Sequence, residues 1–153
     1  MDSLFYIKEA YKEAKKAYKK GEVPVGCVIV YNGEIIARIY NLRETKKNVL
    51  CHAEVLAINK ACKKLGTKFL DGCELYVTLE PCIMCLGASI QARIKKIVYG
   101  APEPKFGCLE SLGSVLDDYK FNHTIEVESG VFREEISALM KSFFKELREN
   151  KSN

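Results

Sequence analysis

The sequence predicts an α/β protein folded as a three-layer α/β/α sandwich around a mixed sheet. Segments with the pattern of strands alternate with segments that have the period of helices, an order that covers a sheet with helices. A hairpin motif comes early, and because hairpin strands run antiparallel, the sheet is not wholly parallel. At 153 residues the chain has the length of one domain, so we expect a single domain over residues 1–153.

The first part of the chain predicts a helix and then the hairpin. Apolar residues recur every three or four positions with lysines between them, the period of an amphipathic helix, and Gly21 ends it. These apolar positions are Leu4, Ile7, Tyr11, Ala14 and Tyr18. Two segments rich in β-branched residues, 27–31 and 34–39, flank Asn32 and Gly33, a pair that favours a two-residue hairpin turn.

The middle of the chain predicts a helix, a strand and a second helix. Residues 53–65 place most apolar side chains on one side, and Gly66 ends that helix. Residues 74–79 are an apolar run typical of a buried strand. Pro81 favours the first turn of a helix over residues 82–93, because the N–H that proline lacks has no helical partner there.

The last third predicts shorter elements around a loop. Proline and glycine concentrate in residues 100–109, which is typical of a surface loop that carries function. The elements around it are strands over 96–99 and 124–128, a short helix over 111–116 and a long helix from 131 to about 150.

The composition favours a cytoplasmic protein with reduced cysteines. No segment approaches the roughly 18 consecutive apolar residues of a membrane span, and we recognise no export signal. Seven cysteines are an odd number, which indicates free thiols, some of them metal ligands. The net charge of +4 permits an acidic partner such as RNA without requiring one.

Two cysteines and a histidine have the spacing of a metal site. Cys82 and Cys85 share one face of a helix's first turn, where free N–H groups and the helix dipole lower thiol pKa values. His52 and Glu54 lie two residues apart at a helix start, so both approach one ion only if it lies beyond the helix end. Two thiolates and one imidazole leave a fourth position for water, the arrangement of catalytic zinc.

Glu54, beside the ion without binding it, would accept a proton from that water, whose pKa zinc lowers from about 15.7 towards 7. The alternative is a closed structural site with a fourth thiol. The candidates for that thiol are Cys27, Cys51, Cys62, Cys73 and Cys108. Cys51 adjoins His52, so the two side chains do not easily reach one ion, and Cys62 and Cys73 have the pattern of core residues.

His-x-Glu followed by Pro-Cys-x-x-Cys is the signature of the zinc-dependent nucleoside and base deaminases, whose fold is cytidine deaminase-like. Over nearly its whole length the chain resembles one branch, the bacterial tRNA-specific adenosine deaminases, which convert the wobble adenosine of an arginine tRNA anticodon to inosine. The residues that carry this resemblance are 22–26, Asn41, 75–82, Asn122, His123 and 143–148.

The resemblance implies a five-stranded mixed sheet, a homodimer and a site that opens onto a tRNA anticodon loop. It implies that His52, Cys82 and Cys85 hold Zn2+, that Glu54 is the general acid and base, and that Asn41 hydrogen-bonds the base edge. From the sequence alone, an asparagine after a strand is more often a turn residue, so the role of Asn41 depends on the resemblance.

Two stretches depart from the family. Residues 48–51 are Asn-Val-Leu-Cys where the family usually has Asp-Pro-Thr-Ala. Glu103, Glu110 and Ser111 stand where the family tends to have Asp and then Gly-Ser. Both stretches belong to surfaces that would meet RNA or shape the mouth of the pocket.

Two helices supply predicted partner surfaces. An aromatic ring beside cations suits a nucleotide and its phosphates, so the final helix is expected to contact RNA. The predicted RNA contacts are Phe144, Lys145, Arg148 and Lys151. Leu86, Ala88, Ile90 and Ile94 offer apolar surface beyond one helical stripe, which predicts a twofold homodimer through residues 84–94.

The expected function is therefore zinc-dependent hydrolytic deamination of a wobble adenosine to inosine. Two alternatives stay open. Relatives with the same motifs act on free guanine or cytosine, against which the basic final helix argues. A non-enzymatic, zinc-stabilised RNA-binding module is the other, although such a module would not need Glu54.

Overall fold

The computed structural model describes residues 2–152, which form five strands and five helices. In chain order these are α1 (Ser3–Lys19), β1 (Gly26–Tyr31), β2 (Glu34–Tyr40), α2 (Ala53–Leu65), β3 (Glu74–Leu79), α3 (Ile83–Gln91), β4 (Lys96–Ala101), α4 (Val115–Asp118), β5 (Glu126–Glu128) and α5 (Arg133–Ser152).

The five strands form one mixed sheet in the order β2-β1-β3-β4-β5. Strand β1 runs antiparallel to both β2 and β3, whereas β3, β4 and β5 are parallel. The hairpin turn has positive φ at Asn32 (51°) and Gly33 (80°), the conformation that an Asn-Gly pair adopts most readily. The predicted mixed sheet and its opening hairpin are thereby confirmed.

Helices cover both faces of the sheet. On one face Ile7 of α1 and Ile136 of α5 pack against Val28 and Val98. On the other face Ala57 of α2 and Leu86 of α3 belong to the same apolar cluster as Ile29. Because neighbouring strand residues such as Val28 and Ile29 point to opposite faces, β1 is buried on both sides. The predicted three-layer α/β/α architecture is confirmed.

Boundaries differ from the prediction where long-range contacts decide them. Helix α3 begins at Ile83 with Cys82 as its N-cap, so Pro81 precedes the helix instead of lying in its first turn. Strand β4 runs on through Gly100 to Ala101, which pairs with Leu79.

Two later elements also differ. The short helix expected over 111–116 lies at Val115–Asp118, because the backbone N–H groups of Glu110 and Ser111 bind a buried carboxylate instead. Strand β5 is limited to Glu126–Glu128, the residues that pair with β4. No helix within residues 2–152 has the length and apolarity needed to cross a membrane.

Candidate active site

The N-termini of α2 and α3 meet on one face of the sheet. His52 is the N-cap of α2 and Cys82 is the N-cap of α3, and both have extended backbone. Cys85 lies one turn into α3 and is fully buried. The free N–H groups of two helix starts therefore surround the side chains that the sequence singled out.

The three predicted ligands lie at the separations of a tetrahedral metal site. The Nδ1 atom of His52 is 3.6 Å from Sγ of Cys82 and 3.5 Å from Sγ of Cys85. Zinc binds imidazole nitrogen at about 2.1 Å and thiolate sulfur at about 2.3 Å, so tetrahedral angles separate two such atoms by about 3.6 Å. All three ligand atoms lie within 4.8 Å of one another, and the donor set of one nitrogen and two sulfurs fits zinc.

Within residues 2–152, no fourth histidine, cysteine or carboxylate joins this cluster. The nearby thiol of Cys108 instead donates a hydrogen bond to the carbonyl of Pro81 at 3.3 Å. Cys27 and Cys73 are buried in the apolar core. The described residues thus lack the fourth ligand of a closed structural site, and a tetrahedral ion here keeps one position for a non-protein ligand.

Protonation in the cluster is strongly coupled. The hydrogen bond from Cys85, supported by His52, lowers the pKa of Cys82 to about 4 despite partial burial. The pKa of Cys85 is raised, first by its bond to Cys82 and then by burial. Cys82 is accordingly a thiolate at neutral pH, the form that binds metals.

Glu54 lies in the first turn of α2, is 5% exposed and has its carboxyl beside the Cys85 thiol. Burial, which disfavours the charged carboxylate, raises the pKa of Glu54 to about 7. A carboxyl with this pKa can both take up and release a proton near neutral pH, which suits a general acid and base.

A groove of about 1140 Å3 opens above these residues. His52, Glu54 and Cys82 lie on its lining, together with Asn41, the loop after β4 and residues of α5 from Ser137 to Lys151. Among the predicted RNA contacts, Phe144, Arg148 and Lys151 line the groove. Lys145 is exposed on the same helix outside the lining. The structure thus joins the metal cluster and most of the predicted RNA surface in one depression.

Asn41 lies just after β2 and is 6% exposed. Its Oδ1 accepts a hydrogen bond from the backbone N–H of Arg43 at 3.1 Å, and its Nδ2 donates one to the carbonyl of Val23 at 3.3 Å. These bonds are those of a turn residue, the interpretation favoured by sequence alone. Each amide atom can form one further bond, and Asn41 lines the groove, so its contact with a base stays a prediction.

Two buried glutamates that sequence reasoning missed hold the loops beside the groove. Glu80 is 2% exposed and accepts hydrogen bonds from four backbone N–H groups and one hydroxyl. The donors are the backbones of Glu103, Leu109, Glu110 and Ser111 and the hydroxyl of Ser111. Burial acts to raise the pKa of Glu80, but the bonds from Ser111, Glu110 and Glu103 outweigh it and lower that pKa.

Glu22 is fully buried and holds the loop between β2 and α2 in the same way. Its carboxylate accepts bonds from the backbone N–H of Glu44 at 3.0 Å and of Thr45 at 2.6 Å. Both loops contain a stretch where the sequence departs from the family, and Val49 and Glu103 from those stretches line the groove. The only sequence signal was a glutamate beside an otherwise apolar segment.

Comparison with known proteins gives consistent similarities. The family model of MafB19-like deaminases matches residues 1–148. The tRNA-specific adenosine deaminase of Bacillus subtilis (strain 168) is 56% identical over 146 residues, which cover 95% of this chain and 91% of that protein.

Solved structures agree. One from a study of A-to-I editing by tRNA:A34 deaminases at the wobble position of transfer RNA is 40% identical, with a TM-score of 0.84, over 88% of this chain and 98% of that one. A guanine deaminase from Bacillus subtilis is 36% identical, with a TM-score of 0.66, over 97% of this chain and 95% of that one.

Proposed function

The chain belongs to the family of tRNA-specific adenosine deaminases, and we propose that it converts the wobble adenosine of a tRNA anticodon to inosine by zinc-dependent hydrolysis. The observation that carries this function is the floor of the groove, where three metal-binding atoms lie within 4.8 Å of one another beside the buried carboxyl of Glu54. Because its substrate is tRNA, we place the protein in the cytoplasm.

The reaction exchanges the exocyclic amine of adenine for an oxygen from water and releases ammonia. His52, Cys82 and Cys85 would hold zinc, which when bound lowers the pKa of a water molecule from about 15.7 to about 7. The carboxylate of Glu54 accepts one proton of the attacking water and delivers it to N1 of the adenine ring. It then takes the remaining proton from the new hydroxyl at C6 and passes it to the amine, which leaves as ammonia while the C6 carbonyl of inosine forms. Because the pKa of Glu54 is about 7, its carboxyl group can both accept and donate a proton near neutral pH.

The floor of the groove is reached only by a base that has left its stack. Glu54 is 5% exposed, whereas residues of the groove's mouth such as Ile83 and Phe106 are more than 60% exposed. An unpaired anticodon base can turn out of its loop at low energetic cost. Asn41 lies on the lining, which supports the proposal that it hydrogen-bonds the edge of that base.

The rival function is deamination of a free base, which the likeness to a guanine deaminase favours. The groove, at about 1140 Å3, exceeds the roughly 300–1000 Å3 that enclose small ligands, and four cations of its lining extend it along α5 and the β4–α4 loop. They are Lys105, Lys141, Arg148 and Lys151. A free base has no use for such a surface.

The deciding experiment offers an anticodon stem-loop, guanine and cytosine to the purified protein, with ammonia release and product mass as readouts. We expect inosine in the stem-loop and little turnover of either base. Turnover of guanine or cytosine alone would establish the rival. Binding of the stem-loop without turnover of any substrate would support the alternative of a non-enzymatic RNA-binding module.

We expect binding of the stem-loop to depend on salt through α5. Each neutralised phosphate contributes a slope of about −0.7 in log affinity against log salt, so about four contacts give a slope near −3. Replacing Arg148 and Lys151 by alanine should flatten this slope by about 1.4 and weaken binding of all loop sequences, with zinc content unchanged. Fluorescence anisotropy over a salt series measures it.

The matched control removes the same charge elsewhere. Lys63 and Lys64 are exposed in the last turn of α2, about 17 Å along that helix from His52. Their alanine variant should keep the parent slope. If the salt slope flattened equally in both variants, the net charge of the protein, and not the cations of α5, would set the salt dependence.

We propose a homodimer through α3, with fewer interface residues than the sequence predicted. Leu86 and Ile94 are fully buried in the chain's own core, so they do not supply an interface. Ala88 and Ile90 are half-buried, so of the predicted contacts these two retain surface for an interface. Light scattering should give twice the chain mass at micromolar concentration, and Ala88→Arg should shift it to the monomer. A monomeric parent would refute the dimer.

A further inference from the structure

Exposed apolar side chains concentrate around the groove. Single exposed apolar residues are ordinary on protein surfaces, but a contiguous group marks a binding site. Five large apolar residues that are at least 37% exposed line the groove together. They are Val49, Ile83, Phe106, Phe144 and Leu147.

Phe106 is the aromatic residue most open to solvent in this group, at 66% exposure. It lies in the loop between β4 and α4, which enters the groove lining from Pro102 to Phe106. At this exposure the ring contributes little to the apolar core, so folding alone gives no account of its position. The groove therefore offers an aromatic face that is open to solvent, in contrast to the buried carboxyl of Glu54.

The loop presents this ring in a defined place. Gly107, the next residue, donates its backbone N–H to the carbonyl of Glu103 at 2.8 Å. The backbone of Gly107 also lies directly against the Glu80 carboxylate, where any Cβ would overlap it. Since Glu80 accepts bonds on both sides of the turn, from Glu103 and from Leu109, the backbone that carries Phe106 is ordered before a ligand arrives. Order of this kind reduces the entropy lost on binding.

The chemistry around Phe106 suits a single-stranded nucleic acid. Lys105 is its neighbour on the loop, and Phe144 and Arg148 line the groove from α5. Aromatic rings for bases and cations for phosphates are the combination that binds unpaired nucleotides. The target base must reach Glu54 on the groove floor, so a ring at the mouth meets a different base.

We propose that Phe106 is a substrate-contact residue that stacks on an unpaired base flanking the target adenosine. This role depends on the proposed function, because it requires that the substrate is an RNA loop. It adds a specificity determinant that acts through the neighbouring nucleotide and leaves the proton transfers at Glu54 untouched.

The test measures kcat and KM for an anticodon stem-loop with Phe106→Ala, Phe106→Leu and Phe106→Tyr. Loss of one base–aromatic stack should lower kcat/KM of Phe106→Ala by roughly 5-fold to 150-fold, mostly through KM, because the stack exists in both ground and transition states. Phe106→Tyr keeps the ring and should retain the parent values. Phe106→Leu keeps apolar bulk without the ring and should resemble the alanine variant.

The matched control is Tyr119→Ala, which removes an aromatic side chain of the same 66% exposure outside the groove lining. It should leave kcat/KM unchanged. The partner base is identified by placing an abasic site at each unpaired loop position in turn. At one flanking position the abasic loop should cost the parent as much as Phe106→Ala does, and the two changes combined should cost little more.

The outcomes separate this proposal from the function. If the parent deaminates the stem-loop and Phe106→Ala equals it, or no abasic position couples to Phe106, the stacking role is overturned while the activity stands. If Phe106→Leu has the kcat/KM of the parent, an apolar contact is sufficient without an aromatic ring, and the stacking proposal also fails. If the parent does not deaminate the stem-loop, function and stacking role fall together.

Discussion

Replacing Glu54 by glutamine should abolish deamination while zinc stays bound. The substitution keeps the size of a buried side chain but removes the carboxylate proposed to accept and return the proton. General acid and base catalysis contributes about 10²–10⁴-fold, and this residue is also proposed to activate the attacking water, so kcat/KM should fall by about 10⁴-fold or more. Ammonia release from the stem-loop measures the rate, and elemental analysis measures zinc.

Glu13 provides the matched control for loss of a buried carboxylate. It is 3% exposed in α1, which packs on the opposite face of the sheet from α2 and α3, and its carboxylate pairs with Lys16 at 2.7 Å and with Arg38 at 3.7 Å. Glu13→Gln should lower the melting temperature but keep turnover at 25 °C near that of the parent. Comparable inactivation of both variants, or near-normal turnover by Glu54→Gln, would contradict the role of Glu54.

Removing a metal ligand should have a different signature, loss of both zinc and activity. Cys82→Ala or Cys85→Ala leaves two protein ligands, so zinc should fall from about one per chain to near zero. Because bound metal stabilises the folded state by mass action, a chelator should lower the melting temperature of the parent and hardly alter that of these variants. Elemental analysis and thermal unfolding with and without chelator give both readouts.

Cys108 is the control thiol for this experiment. It is buried beside the cluster and bonded to the carbonyl of Pro81, but it is not among the clustered ligand atoms. Cys108→Ala should keep its zinc and its response to the chelator. Retention of zinc by Cys82→Ala and Cys85→Ala would show that the metal, if present, binds elsewhere.

Local signals predicted most of the fold. Helix α2 and strand β3 begin and end at the predicted residues, because Gly66 adopts the left-handed conformation that ends a helix and the strand is a continuous apolar run. The pairing of Cys82 with Cys85 was foreseeable for the same reason, because the two are about one helical turn apart. His52 lies 30 positions before Cys82, and its grouping with the two cysteines depended on the deaminase signature.

Contacts between distant residues were beyond such reasoning. Glu80 binds backbone groups 23 to 31 positions further along the chain, and no local pattern indicates which loop returns to it. The same bonds displaced α4 from its predicted position. Likewise, the burial of Leu86 and Ile94 in the chain's own core depends on how α3 lies on the sheet, which spacing within the helix does not determine.

The order of elements along the chain has a consequence during protein synthesis. All three proposed metal ligands and Glu54 lie between positions 52 and 85, whereas α5, which lines the groove, begins at Arg133, about fifty residues later. Translation adds about 5–20 residues per second, so this interval lasts roughly 2 to 10 seconds. On the ribosome, the residues for the chemistry therefore exist for some seconds before the helix expected to hold the RNA.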